Sequence, residues 1–292
     1  MSYRVTVPCT RARGEGVARA DYFAEADNPP VLVADEPDAT KPDEWVLHAY
    51  FDHEPLGSEI AVLSSLGNGP PRIEQLGEQD WVTMSQAGLQ PIRAGRFTVH
   101  TPTYAPEAGR INFEIDAGLA FGTGQHATTS GCLAALDRLE QEGCRFTNIA
   151  DIGTGTGLLA FAALALWPEA KSIATDIDGV ALDVARENAA INGVRLGHGP
   201  GELVLAVADG MDSPLLEARA PFDLLIANIL AGPLIELAPA FNAALSNGGR
   251  ILLAGLLDSQ SDSVAAAYEA QGLSIADKGI GEWPVLICER RS

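Results

Sequence analysis

Short apolar segments alternate with alanine-rich stretches in the second part of the chain, from residue 111 onward. Strands that are covered on both faces appear as continuous apolar runs, and helices between them produce this alternation when the sheet is parallel. The pattern predicts strands at 148–152, 172–176, 202–208, 222–228, 250–255, 273–277 and 285–289. Helices are predicted at 132–139, 158–167, 179–191, 233–245 and 260–271. We therefore expect an α/β domain built on a doubly wound sheet.

The last two predicted strands are separated only by residues 278–284. A parallel connection needs a crossover of about a dozen residues or more, so the final strand must run antiparallel to its neighbour. Seven strands with the last one reversed form the variant of the doubly wound, Rossmann-like sheet that is found in methyltransferases. The fold class alone does not define a function.

The pattern of apolar and polar residues at 1–77 differs from that of the second part of the chain and predicts a small α+β domain. Strands are expected in YRVTVPCT, VLVADEPD, EWVLHAYFD and at 72–76, with helices at 17–26 and 58–66. The resulting order, β-α-β-β-α-β, is the ferredoxin-like pattern. Residues 78–112 are rich in glycine, proline and short polar pieces and are predicted to be a connector, which leaves 113–292 as the larger domain.

The composition and the net charge limit where the protein can be located and which classes of partner it can bind. The first residues, MSYRVTVPCTRAR, contain no apolar stretch of signal-peptide length, and the longest apolar run, 158–167, is shorter than the roughly 20 residues that span a membrane. We expect a cytoplasmic protein without a membrane partner. A formal net charge of −20 repels nucleic acid and attracts basic proteins. On charge alone, a role in keeping the chain soluble is the better explanation.

The four cysteines are scattered and form no CxxC pair or cluster with histidine. A disulfide framework and a zinc site are therefore not indicated, and no metal is predicted.

A glycine-rich turn follows the strand predicted at 148–152. Gly153 and Gly155 lie between this strand and a helix, where glycine allows a tight turn and a close approach of backbone N–H groups to a ligand. Asp176 ends the next strand, where a carboxylate can accept both hydroxyl groups of a ribose. Together the turn and the acidic strand end predict a nucleoside site.

The details of the turn indicate the cofactor. A dinucleotide fingerprint starting at Gly153 requires glycine at 158, where this chain has Leu158. An acidic residue two positions before the turn, Asp151, fits proteins that bind S-adenosylmethionine. Asp151 either holds the ammonium end of this cofactor, directly or through water, or braces the loop, and the two roles are equally supported.

The segment DAGLAFGTGQHATT at 116–129 resembles a motif of the ribosomal protein L11 methyltransferase family (PrmA type). The likeness continues at 151–159, 175–178 and 223–234. It implies a protein N-methyltransferase that transfers methyl groups from S-adenosylmethionine to lysine side chains and the N-terminal amine of a basic large-subunit ribosomal protein. The domain at 1–77 would recognise that substrate, and no direct recognition of nucleic acid is expected.

The resemblance also implies that residues at matching positions of the family motif have the same roles. It implies that the cofactor is bound by Thr129, Gly153, Asp176 and Asn228, with Phe121 and Thr128 as neighbours, in addition to the turn residues Asp151 and Gly155.

Asn228 is the predicted catalytic residue. It ends the fourth strand near the switch point of the sheet, where open α/β folds bind ligands. Its side-chain oxygen, with the carbonyl of Ile229, would accept the N–H bonds of the amine and aim the lone pair, which is positioning rather than acid-base catalysis. The alternative is that Asn228 caps the helix starting near Pro233. His126 is either a general base or, as we favour, a hydrogen-bonding brace of its loop.

Three other functions remain open from the residues alone. In these alternatives, the chain methylates another protein or a small amine, acts as a nicotinamide-dependent oxidoreductase, or is an inactive binding module.

Overall fold

The computed structural model describes residues 2–11, 13–14, 23, 30–35, 44–51, 53–76, 91–115 and 125–290. The side chains at 2, 35, 44, 76, 125 and 126 are outside this description. The chain divides into two compact units, residues 1–88 and 89–292. None of the described helices is long and apolar enough to cross a membrane.

The first unit contains an antiparallel four-stranded sheet. Its strands are β1 (Ser2–Thr10), β2 (Val31–Asp35), β3 (Glu44–Phe51) and β4 (Arg72–Leu76), and helix α1 (Gly57–Leu66) connects the last two. The strand order is β2-β3-β1-β4, with every neighbouring pair antiparallel. This is the order that the ferredoxin-like pattern requires. Most of the first predicted helix, 17–26, lies outside the described residues.

Within the described residues, the second unit contains a seven-stranded sheet. Its strands are β8 (Asn148–Ile152), β9 (Lys171–Asp176), β10 (Leu203–Val207), β11 (Phe222–Asn228), β12 (Leu245–Ala254), β13 (Ser274–Lys278) and β14 (Leu286–Glu289). Their order in the sheet is β10-β9-β8-β11-β12-β14-β13. All pairings are parallel except those of β14, which runs antiparallel to both neighbours. The predicted reversal of the last strand is confirmed.

Helices cover both faces of this sheet. They are α2 (Gln125–Gln141), α3 (Leu158–Leu166), α4 (Gly179–Ile191), α5 (Pro214–Arg219), α6 (Ala231–Ala244) and α7 (Asp258–Glu269). One apolar core includes residues of α2 and α3, and the other includes residues of α6 and α7. Two layers of helices therefore enclose the central strands, which explains their uninterrupted apolar runs.

Two features differ from the sequence expectation. Strand β12 begins at Leu245, earlier than predicted, because its first residue pairs with Phe222 before Gly248 and Gly249 interrupt the regular register. Helix α5 was not predicted because it has only six residues. Its start does carry a recognisable signal, since the Ser213 side chain accepts the N–H of Leu215 and Pro214 occupies the first turn.

The segment predicted as a connector is in large part folded into the second unit. Strands β5 (Ile92–Ala94), β6 (Phe97–His100) and β7 (Ile111–Glu114) form a small sheet. Phe97 and Phe113 share the core with Leu133 and Leu136 of α2. Strand β6 is buried along its whole length, so it lacks the alternation of polar and apolar residues by which a short strand is recognised in sequence.

A buried carboxylate joins this small sheet to α2. Asp137 accepts the backbone N–H of Arg96 at 3.1 Å, the Arg96 Nε at 2.5 Å and the Gln141 amide at 2.9 Å. Gly95, with φ of +53°, makes the turn possible, since a Cβ there would lie 2.3 Å from the Asp137 carboxylate. These bonds hold α2, the helix that carries Thr128 and Thr129 in its first turn.

We expect Asp137→Ala to lower the free energy of unfolding by about 2 kcal/mol, because it leaves the Arg96 backbone N–H and guanidinium without their buried acceptor. Urea denaturation measures the change. Glu142→Ala, next to the end of the same helix, is the matched control. The Glu142 side chain is 52% exposed, and its ion pairs with Arg138 and Arg250 are long, at 3.8 and 3.9 Å. Equal effects of the two substitutions would contradict a structural role for the Asp137 carboxylate.

Candidate active site

A cavity of about 800 Å³ lies at the carboxyl-terminal edge of the seven-stranded sheet. Open α/β sheets bind their ligands at this edge, where the strand order switches direction. In this sheet the switch falls at β8, since β9 and β10 lie on one side of it and β11 and β12 on the other. The described lining residues are Thr128, Thr129, Gly153, Thr154, Gly155, Thr156, Leu158, Leu159, Asp178, Val180, Ala181, Val184, Asn228, Ile229, Leu230, Gly255 and Trp283.

The predicted glycine turn lines this cavity and is tied to the neighbouring strand. The N–H groups of Gly153 and Thr154 both donate to the carbonyl of Thr175, at 2.8 and 2.9 Å. Gly153 has φ of +72°, and a Cβ there would lie 2.3 Å from Cγ2 of Ile229. Gly155 has φ of +54°, with open space where a Cβ would stand. Glycine is therefore required at 153 by both backbone conformation and space.

Asp176 ends β9 as predicted and supports the turn. Its Oδ2 accepts the N–H of Gly155 at 2.9 Å, and its Oδ1 accepts the N–H of Asp178 at 3.1 Å. Asp176 is not one of the described residues that line the cavity. Each carboxylate oxygen has a second acceptor site, so these bonds are compatible with additional hydroxyl donors. Asp178 does line the cavity and caps α4 by accepting the N–H of Val180 at 2.9 Å.

Asp151 is buried below the turn. It accepts the hydroxyl of Thr154 at 2.6 Å and is not among the described lining residues. Burial raises the pKa of Asp151 to about 7, a shift that hydrogen bonds with Thr154 and Ala160 oppose and the charge of Asp176 increases. Of the two roles considered for Asp151, these contacts support the bracing of the loop.

The first turn of α2 contributes two further predicted residues. Thr128 and Thr129 are buried and line the cavity. Phe121, predicted as their neighbour, lies outside the described residues, as does the side chain of His126.

Asn228 is the last residue of β11 and lines the cavity. Helix α6 begins at Ala231 with Leu230 as its N-cap, so Asn228 is not the cap of this helix. Within the described part of the chain, its side-chain amide forms no hydrogen bond. The amide is therefore available to a ligand.

The residues that line the cavity and that sequence reasoning missed include Leu230, Gly255 and Trp283. Gly255 follows β12, has φ of +86°, and would place a Cβ 2.3 Å from the carbonyl oxygen of Ile229. Trp283 lies three residues before Leu286, the first residue of the reversed strand β14, and the start of β14 lies at the same edge as the ends of the parallel strands. The predicted reversal of β14 was thus a signal that could have placed Trp283 at the site.

The described residues contain no group of three histidine, cysteine, aspartate or glutamate side chains arranged to hold a metal ion.

Comparison with known proteins gives a consistent family. The family described as ribosomal protein L11 methyltransferase (PrmA) matches residues 11–291. The ribosomal protein L11 methyltransferase of Brucella suis is 44% identical over 252 residues, which cover 86% of this chain and 85% of that protein. That of Chelativorans sp. is 41% identical over 263 residues and 88% of each chain.

Among solved structures, the ribosomal protein L11 methylase of Lactobacillus delbrueckii subsp. bulgaricus matches with a TM-score of 0.59 and 27% identity. The match covers 70% of this chain and 99% of that one.

Because the pKa of Asp151 is raised on folding, the folded state retains a proton that the unfolded state has lost. The free energy of unfolding therefore falls as the pH rises from about 4 to about 7. Asp151→Asn removes this titration. We expect its stability relative to wild type to grow with pH across that window, by at most about 1.4 kcal/mol per pH unit, and to level off above it.

Urea denaturation at pH 5, 6, 7 and 8 measures this difference. The exposed Glu236→Gln on α6 serves as the control and should show no such trend. A stability difference for Asp151→Asn that is constant with pH would contradict a buried, protonated carboxyl.

Proposed function

The chain belongs to the ribosomal protein L11 methyltransferase (PrmA) family, and we propose that it transfers methyl groups from S-adenosylmethionine to amino groups of ribosomal protein L11. The proposed targets are lysine side chains and the N-terminal amine. The observation that carries this proposal is an asparagine amide, without a partner in the described part of the chain, that faces a cavity beside a glycine-rich turn.

The cavity fits S-adenosylmethionine in size and in the residues that line it. Its volume of about 800 Å³ is within the range of small-molecule sites. Gly153 and Gly155 allow the backbone to approach the ligand closely, and no phosphate needs to be neutralised. Thr128 and Thr129 add hydroxyls from α2 to the lining. Asp176 is not part of the lining but holds Gly155 of the turn, and its remaining acceptor sites are suited to the ribose hydroxyls. We assign cofactor binding to these residues and to Asn228.

When bound, the cofactor supplies an electrophilic methyl group on a positively charged sulfur. The protein has to deliver an uncharged amine to it. A lysine in water has a pKa of about 10.4, and a poorly solvated cavity favours the neutral form. The side-chain oxygen of Asn228 and the carbonyl of Ile229 accept the amine's N–H bonds, so that its lone pair is directed at the methyl group. The proton that the amine has to lose after methylation is released to water.

Asn228 also has a simple reason to be an amide rather than an acid. A carboxylate at this position would stabilise the protonated, unreactive form of the amine. The amide accepts a hydrogen bond without adding a charge, so Asn228 positions the amine and leaves its pKa to desolvation.

The net charge of −20 supports a basic protein substrate and disfavours direct recognition of nucleic acid. We propose that the first unit, which has its own apolar core, recognises the ribosomal protein. We place the reaction in the cytoplasm, where ribosomal proteins are synthesised.

We expect Asn228→Ala to lower the methylation rate at saturating cofactor about 100-fold, because the amine loses an acceptor that positions it. The protein should unfold at the same temperature as wild type, since the amide forms no hydrogen bond with a described residue. Asn247→Ala is the matched control, because Asn247 is exposed on β12 away from the cavity lining.

The assay uses ribosomes from a strain that lacks the enzyme, labelled cofactor and mass spectrometry of the labelled protein. Label on L11 supports the proposal. Label on a different protein, or on small amines only, would show that the substrate is wrong. An unchanged rate for Asn228→Ala would show that Asn228 does not position the amine.

A further inference from the structure

Leu230 and Trp283 are among the apolar side chains that line the cavity without a role in the proposed chemistry. Leu230 is 74% exposed, and Trp283 is partly exposed. A leucine this exposed at the edge of a cavity keeps apolar surface in contact with water, and covering that surface with a ligand is favourable.

The sheet order places these two residues on the same side of the glycine turn as Asn228. The turn at Gly153 follows β8 and Asp178 follows β9, whereas Leu230 follows β11 and Trp283 precedes β14. Since β9, β8, β11, β12 and β14 are consecutive neighbours, Leu230 and Trp283 lie toward one end of the site, and the glycine turn and Asp178 lie toward the other. Asn228 is two residues from Leu230, on the same end.

The backbone around both residues is held in place. The loop that carries Trp283 is closed by a bond from the N–H of Gly279 to the carbonyl of Val285, at 3.0 Å. A second bond, from the N–H of Asp258 to the carbonyl of Glu282, ties the same loop to α7 at 2.9 Å. The carbonyl of Leu230 accepts the N–H of Leu234 in the first turn of α6, at 3.2 Å.

We propose that Leu230 and Trp283 bind the aliphatic stem of a lysine and thereby make the enzyme favour lysine side chains over the N-terminal amine. This inference rests on the proposed function. A lysine amine is reached through four methylene groups, which apolar walls can cover, whereas an N-terminal amine is attached directly to a polar backbone. Asn228 binds the nitrogen in both cases, so the apolar pair distinguishes the two targets.

The test measures methylation site by site on unmodified L11 with intact-protein and peptide mass spectrometry. Leu230→Asn and Trp283→Gln replace apolar by polar surface. We expect each to lower the ratio of lysine to N-terminal methylation about tenfold, because methylene contacts in a pocket discriminate by at least this factor. Trp283→Phe keeps an apolar wall and should restore most of the ratio.

Two exposed apolar residues outside the cavity lining provide matched controls. Leu215→Asn tests the loss of an exposed leucine, and Ile280→Asn tests a change in the loop that carries Trp283. Both should leave the ratio at its wild-type value. The melting temperature of each variant identifies any loss of folding, and Leu230→Ala provides a milder change if Leu230→Asn unfolds.

An unchanged ratio in folded Leu230→Asn and Trp283→Gln, or an equal loss at both kinds of amine, would overturn this inference while wild-type methylation of L11 still supported the proposed function. Wild-type enzyme that leaves L11 unmodified would instead overturn the proposed function and this inference with it.

Discussion

The contacts of Ile229 with two glycines set the geometry on which the site depends. A Cβ at Gly153 would lie 2.3 Å from the Ile229 side chain, and one at Gly255 would lie 2.3 Å from its carbonyl oxygen. Gly153 follows β8, Gly255 follows β12 and Ile229 follows β11. The ends of these three neighbouring strands therefore approach so closely that only glycine fits at 153 and 255. Asn228 is thereby placed beside the glycine turn, and the cavity is confined to one edge of the sheet.

Two acidic residues near the turn differ in environment and consequently in use. Asp151 is buried and accepts the hydroxyl of Thr154, and burial raises its pKa to about 7, so that its charge is reduced near neutral pH, as suits a structural support. Asp176 is partly exposed and bonded to the backbone at Gly155 and Asp178, which leaves acceptor sites for a ligand. Asp151 therefore supports the turn through a buried contact, whereas Asp176 supports it from a partly exposed position.

Much of the second unit was predictable because its strands are buried on both faces. The bounds of β8, β11 and α4 agree with the sequence pattern, and the short spacing at 278–284 correctly indicated a reversed β14. The small sheet at 92–114 was not predictable as part of this unit. Its strands are three or four residues long, and what defines them is burial against α2 rather than a pattern of their own.

The residues of the candidate site also divide into those that the sequence predicts and those that only the structure identifies. The glycine turn and Asp176 were predicted because each occupies a fixed position relative to a strand end, and parallel strands end at one edge. Asn228 also ends a strand, but its predicted role came from the resemblance to the family motif. Leu230, Gly255 and Trp283 have no local signal for their role. They become part of the site through strand order and the reversal of β14, which join positions from distant parts of the chain. The sequence by itself thus determined the sheet and the turn, which follow from local periodicity and spacing, and the polar groups, which follow from the match to the family motif. Only the tertiary structure decided which apolar side chains surround Asn228, because that depends on which strands become neighbours.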